Sequence, residues 1–249
     1  YLNHVKSKGW SDRLGLDISD EPHFSSPSIR QQMKALCTMI HEVDPAIRIY
    51  ASTWRHYGEW DGFLDIWGAG HSGRFPVSEM KAVRSKGDGL WFTTDGLFCI
   101  DTPVCAVERL LPVYCAMYGA QAYENWGSNW FTYDPWQSGG HSYIPETDRP
   151  GHHYFIRYTN ADGYLMYPGV PGRFKGPVSS IRLESVRDGV EDFGYLKRLE
   201  TCAGSSGALA DRAASLLERY RRLVPVPNAG GRHSKRNLPN PDELTSLRR

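Results

Sequence analysis

Strand-like runs alternate with helix-like runs over the first half of this chain, which restricts it to folds whose strands lie parallel and are joined by helical crossovers. Leu14, Leu16 and Ile18 recur at every second residue, the period of a strand with one apolar face. Ser26 is then a good N-cap and Pro27 a good first helical residue, and Ile29, Met33, Leu36, Cys37 and Ile40 keep helical spacing up to Pro45. Residues 47–53, 63–67, 90–94 and 120–126 read as further strands, with helices predicted over 76–86 and from Thr102 to the breaker Gly119. An α/β barrel and an open doubly wound sheet both fit this order. Residues 132–154 read as a long loop, 163–169 as a strand and turn, and 180–199 and 209–224 as two helices.

The strand phases make a further prediction. Tyr50, Ser52 and Trp54 share one face of their strand, as do Asp65 with Trp67, and Trp91 with Thr93 and Asp95. The opposite faces are apolar: Ile47, Ile49 and Ala51; Leu64 and Ile66; Leu90 and Phe92. If the apolar faces meet helices, the polar and aromatic faces look into one lumen. Asp20, Glu21, Trp54, Trp67 and Asp95 then gather at one mouth, where barrel enzymes keep their sites. Core packing accounts for any one of these tryptophans; the convergence is what carries the functional reading.

Asp20 and Glu21 are adjacent carboxylates at the end of the first strand, and Pro22 holds Glu21 out of helical geometry. Two enclosed acids side by side repel and lose solvation, an arrangement common at functional sites. Turn chemistry alone also explains Asp-Glu-Pro. Glu21 is in phase with Asp17 and Ser19 on the polar face.

A net charge of +1 selects neither nucleic acid nor an anionic membrane as partner, and no run of 18 apolar residues is present. The five cysteines include no Cys-x-x-Cys, and the nine histidines no His-Glu-x-x-His, so no metal site and no cofactor are expected. No nucleophile elbow, phosphate loop or dinucleotide fingerprint occurs. The chain opens on Tyr1 within a helix-like run and reads as lacking its natural N-terminus, so localisation is left open. The basic end from Arg232 to Arg249 reads as a disordered tail.

Four motifs occur in a recognisable order. They are Asp20-Glu21-Pro22 after a strand, Trp126 to Trp130 with Asp134-Pro135-Trp136, Leu165-Met-Tyr-Pro-Gly169, and Ile181-Arg-Leu-Glu-Ser-Val-Arg-Asp-Gly-Val-Glu-Asp-Phe193. Together they resemble the catalytic domain of glycoside hydrolase family 123 over residues 1–199. The resemblance implies a (β/α)8 TIM-type barrel, here without its first three strands, followed by C-terminal helices. It also implies a preceding β-sandwich domain in the full-length parent. The expected organisation is the C-terminal part of the barrel over 1–200, a C-terminal helix over 201–226 and a disordered tail over 227–249. The last motif is expected to act structurally, through ion pairs and helix packing. One departure stands out: Phe92-Thr93 replaces an expected Trp-Tyr, so a tyrosine that would touch substrate is absent.

The implied activity is retaining, exo-acting cleavage of β-N-acetylgalactosaminides, with a glycan or glycoconjugate as substrate. Most retaining glycosidases use a nucleophile and an acid/base about 5 Å apart, whereas substrate-assisted enzymes let the 2-acetamido group attack. In that scheme Glu21 is the general acid/base, because its side chain is longer and in phase with the lumen. Asp20 orients the acetamido group, and its charge raises the pKa of Glu21. Trp54, Trp67, Trp91 and Trp126 are expected to form the sugar floor, and Asp95 and Glu124 to bind hydroxyls. The alternatives are a non-catalytic carbohydrate-binding relative or a glycosidase of different sugar specificity.

Overall fold

The computed structural model describes residues 1–20, 22, 26–53, 55–69, 75–93, 105–125, 127–129, 134–138, 141–145, 153–157, 163–170, 172–225 and 240–248. They form two compact units, one built on Tyr1–Thr93 with Ala120–Ala122, the other on Thr94–Gly119, Tyr123–Pro225 and His233–Arg249.

In the first unit, helix α1 (Leu2–Ser7) precedes strand β1 (Gly15–Asp17), helix α2 (Pro27–Val43) and strand β2 (Arg48–Ser52). Strand β3 (Ile66–Ala69), helix α3 (Val77–Ser85) and strand β4 (Gly89–Thr93) follow. The predicted start of α2 is found, with Ser26 Oγ accepting from Ile29 N–H at 3.5 Å and Pro27 in the first turn. Strands β1 to β4 pair in parallel: Asp17 with Tyr50, Tyr50 with Ile66, and Ile66 with Gly89. A fifth strand, β5 (Ala122–Glu124), follows in the sheet order β1-β2-β3-β4-β5, and just before it Gln121 N–H donates to Leu90 O at 2.9 Å. Strands in sequence order, with no reversal, are what a singly wound sheet has and a doubly wound sheet lacks.

This register corrects the phase expected for β3. Cα partners across parallel strands share a face, so Tyr50, Ser52, Ile66, Gly68 and Trp91 lie together. Trp67 instead joins Ile49, Ala51, Leu90 and Phe92, each with no solvent exposure. Asp65 is in phase with Trp67, and its carboxylate accepts from His41 of α2 at 3.0 Å, which marks this face as the helix side. Asp65 also accepts from Ile49 N–H at 2.8 Å, clamping β2 to β3.

In the second unit, helix α4 (Ala106–Tyr118) is followed by helix α5 (Pro135–Ser138). Within the stretch expected to be a loop, strands β6 (His141–Pro145) and β7 (His153–Arg157) pair antiparallel. Their alternation is too short to stand out among Gly, Pro and His. Strands β8 (Met166–Tyr167) and β9 (Val178–Ser179) form a second small ladder. Helices α6 (Ile181–Ala203), α7 (Ala208–Leu223) and α8 (Pro241–Arg248) close the chain.

Helix α8 corrects the expectation of a disordered tail for its own residues; 226–239 lie outside the described residues. Asn240 Oδ1 accepts from Glu243 N–H at 3.1 Å, Pro241 opens the first turn, and Leu244 and Leu247 are buried. Arg248 binds Glu191 and Asp192 of α6, each at 3.0 Å. A helix this short is marginal alone, and these tertiary contacts hold it.

Candidate active site

The face of the sheet turned away from the helices carries glycines and aromatics. The rings of Tyr50 and Trp91 pack at 4.7 Å with a 30° tilt. A Cβ at Gly15 would sit 3.5 Å from both Trp91 and Ile66, an ordinary van der Waals contact, so these side chains pack close over β1. At Gly68 a Cβ would come within 2.8 Å of Tyr50 Oη and of Ser52 Cα, so the tyrosine hydroxyl leans over a position only glycine can hold. Ser52 is 4% exposed and its Oγ has no hydrogen-bond partner among the described residues. A buried hydroxyl left unsatisfied costs about 1–3 kcal/mol, so this one is suited to bonding a polar group brought against the same face. That Tyr50 and Ser52 share a face was legible in the sequence; what was missed is that Gly68 makes the room beside them.

Asp17 ends β1 on this face, and its Oδ1 accepts from Ser19 N–H at 3.2 Å. Partial burial raises its pKa, the Ser19 bond pulls it down, and the charge of Asp20 pushes it up again. Asp20 is exposed three residues beyond the strand. Glu21, Trp54, Asp95 and Trp126 lie outside the described residues. Trp91 is half-buried beside Tyr50. Trp67 is not on that floor: its Nε1 donates to Asp88 at 3.0 Å and its ring meets His56 at 4.7 Å on the helix side. Glu124 ends β5, half-buried, in the second unit. Among the described residues no group of three His, Cys, Asp or Glu could hold a metal ion, and no helix is long and apolar enough to cross a membrane.

In the second unit the three later motifs form one assembly. Asp134 Oδ1 accepts from Trp136 N–H at 2.9 Å, and Trp136 lies on Tyr167 at 5.1 Å while donating to Pro168 O. Arg182 donates to Tyr164 O at 2.6 Å and to Tyr167 Oη at 2.7 Å. Ser180 caps α6, accepting from Leu183 N–H, and its hydroxyl donates to Leu165 O. Further along α6, a Cβ at Gly189 would lie 2.9 Å from Arg109 O and Pro112 Cγ, which fixes how closely α4 and α6 approach. The long motif is therefore a packing and ion-pair element, as the resemblance led us to expect.

The sheet is parallel and in order, with Asp20 just past the carboxyl end of β1, the end at which α/β enzymes carry their sites. Residues 1–199 match the family described as glycoside hydrolase 123, catalytic domain, and the chain belongs to this glycosidase family. A solved family 123 glycoside hydrolase from Clostridium perfringens, from a structural analysis of glycolipid glycan hydrolysis, has a similar fold, with TM-score 0.62 at 13% identity. The match covers 99% of this chain and 41% of that one, so the chain spans under half of that protein's length. No curated protein matches the sequence.

Proposed function

We propose that the five-stranded sheet is part of a (β/α)8 barrel whose site performs retaining, substrate-assisted cleavage of terminal β-N-acetylgalactosaminides. The observation that carries this reading is the placement of Asp20, followed by Glu21 in sequence, just past the carboxyl end of β1 in a chain of this glycosidase family. The acetamido carbonyl oxygen attacks the anomeric carbon while the glycosidic bond breaks and Glu21 gives its proton to the leaving oxygen. Asp20 accepts from the acetamido N–H and offsets the positive charge of the oxazolinium ion. Glu21 then takes a proton from the water that opens the ring at the anomeric carbon, and the configuration is retained. Trp91 on Tyr50 supplies an apolar wall for the sugar.

Thr93, the last residue of β4, stands where relatives resembling this chain are expected to carry a tyrosine, which favours a second reading as a non-catalytic carbohydrate-binding relative. Incubating the full-length parent with an aryl β-N-acetylgalactosaminide and with the matching galactoside separates the readings. The first expects turnover of the former and almost none of the latter, because the internal nucleophile supplies an effective molarity of about 10⁵ M or more. Glu21→Gln should then abolish cleavage of poor leaving groups and spare good ones, while Asp20→Asn should impair both. Binding of the sugar without turnover would support the second reading, and equal rates on the two sugars would overturn the acetamido mechanism.

A further inference from the structure

Helices α6, α7 and α8 leave a groove of about 530 Å³ between them, within the size range of small-molecule sites. Its apolar lining includes Leu199, Leu209, Leu216 and Tyr195. Leu209 is 74% exposed and Tyr195 52%, so the fold leaves this surface open to solvent. Four arginines line the groove, and the lining contains no acid. Two are already paired: Arg219 with Glu243 at 3.6 Å, and Arg248 with Glu191 and Asp192 at 3.0 Å. The others, Arg198 and Arg212, have no carboxylate within 4.0 Å among the described residues. Glu200, two residues from Arg198 on α6, is taken by Lys197 at 2.8 Å, while Asp211 adjoins Arg212 in sequence on α7.

We infer that this groove is a binding site for an amphipathic monoanion, a carboxylate carried on an apolar body. Burying leucine surface favours the body, and a guanidinium fork matches a carboxylate. The paired arginines of the same groove already take carboxylates as partners. The site lies in the second unit, with most of its lining beyond residue 199, where the family match ends, so it does not depend on the glycosidase reading.

The test is calorimetric titration of the chain with sodium octanoate below its micelle concentration, beside 1-octanol, octylammonium and octyl phosphate. Octanoate should saturate one site, at least tenfold tighter than octanol, with octylammonium not binding. Replacing both free arginines, Arg198→Gln with Arg212→Gln, should weaken octanoate at least tenfold without moving the melting temperature of the unliganded chain. Arg173→Gln, an exposed charge elsewhere on the same unit, should leave binding unchanged. Octanoate should also slow labelling of Cys202, which lines the groove, by a thiol reagent. Absence of saturable octanoate binding, equal binding of octanol, or unchanged affinity in the double variant would overturn the site. Octyl phosphate binding tenfold tighter than octanoate would overturn the choice of carboxylate.

Discussion

Arg109 of α4 and Asp192 of α6 meet at 2.5 Å, with Asp192 fully buried and Arg109 only 7% exposed. Burial pushes the Asp192 carboxyl up, and Arg109 and Arg248 pull it back. Two guanidinium groups lie within 3.0 Å of it. Asp192→Asn leaves Arg109 a buried cation short of its partner and should cost about 3–5 kcal/mol in urea unfolding. Arg109→Met combined with Asp192→Leu should recover most of that loss, since neither charge is then stranded.

Gly189→Ala tests the close approach of α4 and α6. In an open helix this change stabilises by about 1 kcal/mol. Here the new methyl would meet Arg109 O and Pro112 Cγ at 2.9 Å. The sign should reverse, with a loss of about 1–3 kcal/mol read from the unfolding midpoint. A stabilised variant would mean that α6 can retreat from α4 at little cost.

Trp67 and Trp91 should separate cleanly. Trp67 is fully buried on the helix side, so Trp67→Ala should cost about 3–5 kcal/mol of stability. Trp91 is half-buried on the lumen side, so in an active full-length parent Trp91→Ala should raise KM about tenfold through lost stacking. Thermal melts and steady-state kinetics on both variants check the pair.

Asp17 gives a pH prediction. Its folded pKa lies above the ordinary value of 3.8, first through partial burial and then through Asp20. The folded chain therefore holds this proton to higher pH than the unfolded chain. Its contribution favours the fold at pH below 3.8 and is lost as pH rises through the raised pKa. Asp20→Asn should lower the Asp17 pKa, and carbon-detected NMR titration of the Asp17 carboxyl would read it. An unchanged titration would mean that the two carboxylates do not feel each other.

Local signals in the sequence determined the elements. Ser26-Pro27 set the start of α2, Gly119 the end of α4, and alternation marked the strands, because caps, breakers and periodicity act over a few residues. The neighbours Asp20-Glu21 and the long Ile181–Phe193 run were likewise visible as sequence. Tertiary structure alone decided which way Trp67 points. Two-residue periodicity gives a strand two faces but does not say which one meets the helices, and in β3 the pairing of Ile66 with Tyr50 turned Trp67 to the helix side. It also decided the fate of the C-terminal end, since α8 depends on Arg248 reaching Asp192, 56 positions away in sequence and 3.0 Å away in space. Such long-range pairings leave no local pattern in the residues that make them.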